Sequence, residues 1–109
     1  MKLLSRSEEI ILLAVWRLES NAFGISIREQ VSEATGYRWT LGAIYVPLDK
    51  LTRKGYITKS YSRPSPRRGG RSRVLYHLTS RGREALRTVR EIQASLWQGI
   101  PGHAFEEKT

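Results

Sequence analysis

Basic side chains are concentrated in one stretch of this sequence, and their density suits the binding of a polyanion. No acidic residue lies between Asp49 and Glu84, whereas 11 of the 19 lysine and arginine residues do. The rest of the chain carries 8 basic and 10 acidic residues, so the net charge of +9 arises entirely in this stretch. A block of like charge can also be solvated or disordered. Here, however, β-branched and aromatic residues interrupt the cations at 55–57 and 74–78, which favours a folded surface for nucleic acid.

The densest group of arginines surrounds two adjacent glycines. Gly69 and Gly70 allow a tight turn without a side chain that would hold it away from a duplex. Arginine suits the narrow minor groove of DNA, where the electrostatic potential is most negative. The alternative is a loop that serves only solubility. The residues predicted to contact DNA from this loop are Arg63, Arg67, Arg68, Gly69, Gly70, Arg71 and Arg73.

Residues 40–54 predict a helix with one apolar and one open face. Thr40 can cap its start, and Ile44 and Leu48 belong to a core stripe that continues to Leu51. Small residues near the start would let the backbone approach the bases of a major groove. Gly42 could equally be a loose helix start, and the ring of Tyr45 could pack while its hydroxyl points outward. The predicted recognition residues are Thr40, Gly42, Ala43, Tyr45, Val46 and Lys50.

Pro47 conflicts with a regular helix at this place. Inside a helix, proline removes a hydrogen bond and clashes with the preceding turn, at a cost of about 3 kcal/mol. Either the helix is kinked at Pro47, or its regular part begins later than Thr40. The sequence leaves both alternatives open.

Two helices precede this segment. The first is expected over residues 5–19, with Ser5 and Glu8 in capping-box spacing, and its apolar run 10–16 covers the whole circumference. Such a helix should be buried on two sides, the second against another subunit. The second helix is expected from about Ser26 to Ala34, with a capping box to Glu29 and a stop at Gly36.

Two strands and a last helix follow it. Strand-like residues occupy 56–62 and 73–78, and the turn-rich linker 63–72 makes them a hairpin with a long tip. Thr79 can cap a helix whose apolar stripe needs a cover, and residues from Gly99 onward should fray. A second copy of the chain is the expected cover, through Leu12, Val15, Trp16, Leu86, Val89, Ile92, Leu96 and Trp97.

This order of elements predicts a winged helix-turn-helix, mainly α with a two-stranded β-wing, plus a C-terminal dimerisation helix. The DNA-binding domain would span 1–79, the dimerisation helix 80–100 and a frayed tail 101–109. A pseudo-palindromic double-stranded DNA site would then present half-sites roughly 34 Å apart to a homodimer.

The residues also resemble a known family. The segments 41–51 and 54–57, the wing residues 68–71 and the stretch 75–82 together resemble the PadR-like bacterial transcriptional regulators, as does the glycine opening at 24–27. The likeness covers roughly residues 5–97. It implies a dimeric, repressor-type DNA-binding protein whose C-terminal helix forms the dimer with help from the first helix. The sequence departs from the family pattern where Val46 separates Tyr45 from the proline, and its C-terminal region is too short for a separate effector domain.

Other functions find less support in the sequence. Without cysteine there is no thiol chemistry, and His77 and His103 are too far apart for a predicted metal site, so neither an enzyme nor a cofactor is expected. The adjacent acids Glu8 and Glu9 are typical of surface charge. The longest apolar run has seven residues, against roughly 20 for a membrane span. We therefore expect a cytoplasmic protein, associated with the nucleoid when it is bound to DNA.

Two alternatives keep the fold and change the ligand. An aromatic residue on a dimer helix, such as Trp97, could line a cavity near Trp16 for a planar apolar effector that releases DNA, although packing against the partner is the simpler role. An RNA-binding module would need stacking aromatics on an exposed sheet. Two strands offer only Tyr56, Tyr61 and Tyr76 for this purpose.

Overall fold

The computed structural model describes residues 3–70 and 72–106, and within them four helices surround a core beside one β-hairpin. The elements are α1 (Arg6–Leu18), α2 (Gly24–Thr35), α3 (Leu41–Arg53), β1 (Ile57–Tyr61), β2 (Val74–Leu78) and α4 (Ser80–Trp97). The mainly helical winged helix-turn-helix with a two-stranded wing is thereby confirmed. No helix within these ranges is long and apolar enough to cross a membrane.

Helix α1 begins with the predicted capping box. The Ser5 hydroxyl accepts a hydrogen bond from the Glu8 amide at 3.1 Å, and the Glu8 carboxylate accepts one from the Ser5 amide at 2.8 Å. The expectation that Glu8 and Glu9 are surface charge is wrong, because both are buried. The carboxylate of Glu8 also binds Lys54 Nζ at 2.6 Å, and that of Glu9 accepts from Gln93 Nε2 at 3.2 Å.

The buried side of α1 differs from the predicted one. Leu12 and Val15, which we expected at a dimer interface, lie fully inside the core of the chain itself. An apolar run around the whole helix does not tell which side faces the helix's own domain. The side that α1 leaves open carries Leu13 and Trp16 instead.

Helix α2 begins at Gly24, two residues earlier than expected. Ser26 is not the N-cap: its hydroxyl accepts from the Phe23 amide at 3.0 Å and so serves as the third residue of the helix. The predicted capping box with Glu29 is therefore wrong. The predicted stop is confirmed, since Gly36 adopts a left-handed φ of +81° and donates to the Ser32 carbonyl.

Helix α3 is anchored along its whole length. Ile44, Leu48 and Leu51 are fully buried, as the apolar spacing predicts. The Thr40 hydroxyl accepts from the Ala43 amide at 3.1 Å and fixes the first turn. The helix thus starts directly after Thr40 and continues through Pro47, so the alternative of a later start is wrong.

The hairpin is tied to the helices through β2. β1 and β2 pair antiparallel, with Ile57 opposite Leu78 and Tyr61 opposite Val74. On the other edge, the Tyr76 amide donates to the Ala22 carbonyl at 2.8 Å, which ties β2 to the α1–α2 connection. The base of the wing is therefore fixed to the helices along β2.

Helix α4 packs on the core only in its first half. At its start Gly82 lies against the Tyr56 carbonyl, so closely that an added Cβ would collide with that oxygen. Leu86 and Val89 are buried and Ile92 is partly buried, whereas Leu96 and Trp97 are exposed. In the described part of the tail, which we expected to fray, residues Gly102–Phe105 form a 3-10 turn that brings Phe105 to 5.6 Å from the Trp97 ring.

Candidate nucleic-acid interface

The open face of α3 carries the six predicted recognition residues. Thr40, Gly42, Ala43, Val46 and Lys50 are exposed, and the Val46 side chain reaches 57% exposure. Because the opposite face is fully buried, these side chains are held on a rigid surface. Methyl groups and a bare backbone at the start of a helix are suited to close approach to base edges in a major groove.

Tyr45 is fixed by the start of α2. A Cβ atom added at Gly24 would run into the Tyr45 hydroxyl and ring, so the tyrosine lies directly over this glycine. The ring therefore packs while 40% of the residue stays exposed. The glycine that opens α2 leaves room for the Tyr45 ring in this contact between two helices.

The tip of the wing is an ordered turn. Pro66–Arg68 form a 3-10 turn, after which Gly69 and Gly70 adopt left-handed φ values of +63° and +79°. The Gly70 amide donates to the Ser65 carbonyl at 3.0 Å and closes the turn. As predicted, the two glycines allow a tight turn, because left-handed φ values carry little cost only for residues without a Cβ.

The arginines of the wing divide into two groups. Arg63 and Arg67 are exposed. The guanidinium of Arg68 donates to the Arg63 carbonyl at 2.8 Å, and that of Arg73 lies 4.0 Å from the centre of the Phe23 ring. These two side chains help to hold the wing in place. The predicted contact residue Arg71 lies outside the described residues.

A groove joins the wing to the helices. It has a volume of about 490 Å³ and runs between the start of α2, Tyr45 on α3, and the hairpin residues Arg68 and Arg73. Tyr45, which we predicted as a recognition residue, and two of the predicted wing arginines therefore border one continuous groove. Cations on the walls of a groove concentrate the field that attracts a polyanion.

Acidic side chains near this surface are already paired or lie behind it. Asp49 is 3.8 Å from Lys59 Nζ on β1. Burial raises the pKa of the Glu8 carboxyl, but the hydrogen bonds from Lys54 and Ser5 lower it more, so the net pKa lies below its ordinary value. Burial also raises the pKa of Tyr76, with further contributions from Tyr45 and Asp49, so this hydroxyl stays protonated near neutral pH.

Sequence reasoning missed an aromatic pair in the turn between α2 and α3. The rings of Tyr37 and Trp39 stack 5.7 Å apart at an interplanar angle of 11°. Trp39 is buried, and its Nε1 donates to the Thr35 hydroxyl at 2.9 Å. The available signal was two aromatic residues, spaced by one, directly before the cap Thr40.

A second exposed surface lies between α1 and α4. Leu13 and Trp16 of α1 face a groove of about 290 Å³, and the guanidinium of Arg83 lies 5.2 Å from the Trp16 ring. Trp97 is 14 residues beyond Arg83, about 21 Å along the helix. Within one chain Trp16 and Trp97 therefore lie too far apart to line one cavity, and the effector hypothesis for the dimer interface requires Trp97 of a second copy.

Comparison with known proteins gives the same fold and one family. The model of the transcriptional regulator PadR-like family matches residues 12–88. No curated protein matches the chain.

Solved structures match most of the chain. RosR of H. salinarum, crystallised from NaBr, is 26% identical, covers 90% of this chain and 81% of its own, and has a TM-score of 0.68. A PadR family transcription regulator from Clostridium difficile R20291 is 25% identical, with coverages of 85% and 88% and a TM-score of 0.64. BpsR of Bordetella bronchiseptica, whose structure concerns regulation of its DNA binding by 6-hydroxynicotinic acid, shares the fold at 14% identity, with coverages of 91% and 69% and a TM-score of 0.62.

Proposed function

Because the chain belongs to the family of PadR-like transcriptional regulators, we propose that it is a homodimeric repressor that binds a pseudo-palindromic site in double-stranded DNA. The observation that carries this proposal is the continuous surface formed by α3, the start of α2 and the basic wing. The exposed face of α3 would enter the major groove, and the wing would follow the adjacent backbone. We place this activity in the cytoplasm, on nucleoid DNA.

The proposed DNA contacts are of two kinds: some read the base sequence, and others bind the phosphate backbone. Ala43 and Val46 offer methyl groups that can contact thymine methyls, so they would set sequence preference. Arg67 and Arg63 would neutralise phosphates without reading bases. Arg71 is included in this anchoring group on the strength of its place in the sequence.

The salt dependence of DNA binding tests the proposed contacts with phosphates. If a dimer neutralises roughly seven phosphates, the logarithm of the binding constant falls with the logarithm of salt concentration at a slope of about −6. Arg67→Gln should reduce the magnitude of this slope by about 2, because each dimer loses two contacts. Arg17→Gln, an exposed arginine on α1, is the matched control and should leave the slope unchanged. A slope near −1 for the parent chain contradicts the proposal.

Selection of bound DNA from a random pool tests the proposed sequence preference and the two-fold symmetry of the DNA site. A two-fold symmetric consensus is expected from a homodimer. Substitutions at Ala43 or Val46 should change the selected bases, whereas Arg67→Gln should weaken binding to all sequences alike. An unchanged consensus in folded Ala43 and Val46 variants would show that α3 is not the recognition helix.

The dimer is proposed to form through α4 with help from α1. Leu96 and Trp97 remain exposed although Phe105 contacts the Trp97 ring, and Leu13 and Trp16 add exposed apolar side chains on α1. Leu86 and Val89 are buried within the chain itself, and the partly buried Ile92 would border this interface. Sedimentation of the purified chain at several concentrations tests the dimer, and a monomer at all of them contradicts it.

Effector binding is a second candidate, favoured by the groove between α1 and α4. Its floor is apolar, through Leu13 and Leu86, and Arg87 and Arg90 line it together with Trp16 and Arg83. A planar apolar molecule with one acidic group would suit this lining. In a dimer, Trp97 of the second copy could complete the cavity. Thermal stabilisation by planar aromatic acids that disappears in both Trp16→Ala and Trp97→Ala would support this role, and stabilisation that persists in both variants would contradict it.

A further inference from the structure

The turn between α2 and α3 holds an exposed tyrosine in a fixed position. Tyr37 is 62% exposed, yet its ring lies nearly parallel to that of Trp39. An exposed aromatic side chain would ordinarily sample several rotamers, and stacking on a fixed neighbour restricts them. The ring of Tyr37 is thus ordered before any ligand binds, while its surface remains accessible.

Trp39 is itself anchored to α2 by two hydrogen bonds, one from its backbone amide and one from its indole ring. The Trp39 amide donates to the Ser32 hydroxyl at 3.1 Å, and its indole Nε1 donates to the Thr35 hydroxyl at 2.9 Å. The Thr35 hydroxyl in turn donates to the Val31 carbonyl at 2.8 Å inside α2. Trp39 therefore transmits the position of α2 to the exposed ring of Tyr37.

The position of Tyr37 relative to α3 indicates its ligand. Tyr37 precedes the cap Thr40 by three residues, and three residues of chain span at most about 10 Å. The major groove of DNA is about 12 Å wide. When the start of α3 is in the groove, as the proposed function requires, the exposed ring of Tyr37 lies close enough to Thr40 to be placed at the sugar–phosphate backbone that borders the groove.

We propose that Tyr37 binds DNA through its hydroxyl, which donates a hydrogen bond to a phosphate oxygen beside the groove that α3 enters. This inference rests on the proposed DNA-binding function and adds a contact to it. Tyr37 positions the protein on the duplex and reads no base, because phosphates carry no direct sequence information. Stacking on Trp39 reduces the conformational entropy that the side chain loses on binding.

Tyr37→Phe tests the contact because it removes one hydroxyl and keeps the stack. Binding to the selected duplex should weaken by about fivefold or more, since each dimer loses two hydrogen bonds to charged groups. A neutral donor displaces no counterion, so the salt slope should stay that of the parent chain. Tyr56→Phe is the matched control: it removes a hydroxyl from the half-buried tyrosine just beyond the other end of α3 and should leave binding unchanged.

Phosphate ethylation interference locates the contact on the DNA. Ethylation of one further phosphate in each half-site should block the parent chain and lose its effect in Tyr37→Phe. Thermal unfolding of this variant should match the parent, and Tyr37→Ala should bind DNA at least as weakly. Equal affinity of Tyr37→Phe and the parent overturns this inference alone, whereas failure of the parent to bind any duplex at low salt overturns the proposed function with it.

Discussion

Helices α3 and α4 both expose apolar side chains, but the two helices are supported in different ways. α3 is buried on one side from Ile44 to Leu51, so its exposed residue Val46 sits above a fully packed stripe. α4 contacts the core as far as Val89 and Ile92, and then carries Leu96 and Trp97 where the helix has left the core. The first surface is rigid within one chain, and the second is incomplete without a cover.

The surroundings of the two surfaces differ as well. Lys50 and the wing arginines border the face of α3, and small residues leave its backbone accessible. The end of α4 is flanked by a large aromatic contact between Trp97 and Phe105. Cations and bare backbone suit a polyanion, whereas exposed aromatic side chains are enriched at contacts between proteins. This comparison supports the proposal that α3 contacts DNA and that a second copy of the chain covers the end of α4.

Removal of a core anchor of α3 should have the largest effect on stability. Leu48 is fully buried, so Leu48→Ala leaves a cavity in the core and should lower the free energy of unfolding by about 2–5 kcal/mol. Leu41→Ala, on the partly exposed first turn of the same helix, should cost about 1 kcal/mol or less. Urea unfolding of both variants provides the measurement. Equal losses would mean that the buried stripe does not fix α3.

Truncation of Trp97 on α4 should affect dimerisation, whereas truncation of Val46 on α3 should affect DNA binding. Trp97→Ala is expected to weaken the dimer at least about tenfold, because buried tryptophans often dominate interfaces. Val46→Ala should leave dimerisation unchanged and alter DNA preference instead. Sedimentation on dilution measures the first effect, and duplex binding measures the second. A Trp97→Ala protein that dimerises like the parent chain would remove α4 from the proposed interface.

Local patterns in the sequence predicted most of the fold. The caps Ser5, Thr40 and Thr79, and the stop at Gly36, lie where the spacing indicates. Each of these features depends on residues within one turn of the chain, so a single sequence contains the information. The same holds for the hairpin, whose two strands are separated by an evident turn segment.

Features that depend on distant contacts were not predictable. The glycine at the start of α2 lies under the Tyr45 ring, and the guanidinium of Arg73 lies over the Phe23 ring. Leu12 could not be assigned to a side of α1, because its neighbours are apolar all round. In each of these cases the partner lies in another element, and only the folded chain brings the two together.

The first turn of α1 contacts Lys54 after α3 through Glu8 and contacts α4 through Glu9. The ion pair of Glu8 makes the stability of the protein depend on pH. Glu8 binds Lys54 after the end of α3, and its pKa lies below the ordinary value of 4.5. A carboxyl whose pKa is lowered on folding stabilises the protein above its unfolded pKa, and this contribution is lost as the pH falls through the folded value. Glu8→Gln should therefore cost about 1–2 kcal/mol at neutral pH, and the difference from the parent should shrink in acid.

The control for Glu8 is an acid with an exposed partner. Glu84 lies 3.7 Å from Arg87, and both side chains are well exposed, so Glu84→Gln should change stability by only a few tenths of a kcal/mol. Urea unfolding between neutral pH and pH 3 compares the two variants. The same pH dependence in Glu8→Gln and the parent chain would show that the ion pair between Glu8 and Lys54 does not contribute.

The smallest expected effects come from adding one methyl group at Gly42, on the exposed face of α3, or at Gly24, which lies under Tyr45 of α3. Gly42→Ala meets no atom within 4 Å and should stabilise the helix by about 0.5–1 kcal/mol, while the methyl group holds the backbone away from the bases and weakens DNA binding. Gly24→Ala must displace the hydroxyl end of Tyr45, a flexible group, so stability should change little and DNA binding should weaken through the moved ring.

A double-mutant cycle distinguishes an effect that acts through the Tyr45 ring from one that acts directly on the backbone of α3. In a Tyr45→Ala background, Gly24→Ala should have no further effect on DNA affinity, because the group that it displaces is absent. Gly42→Ala should keep its full effect in that background, since it acts on the backbone of α3 directly. If Gly24→Ala weakens binding equally with and without Tyr45, the contact between α2 and α3 does not position the recognition face, and α3 is rigid through its buried stripe alone.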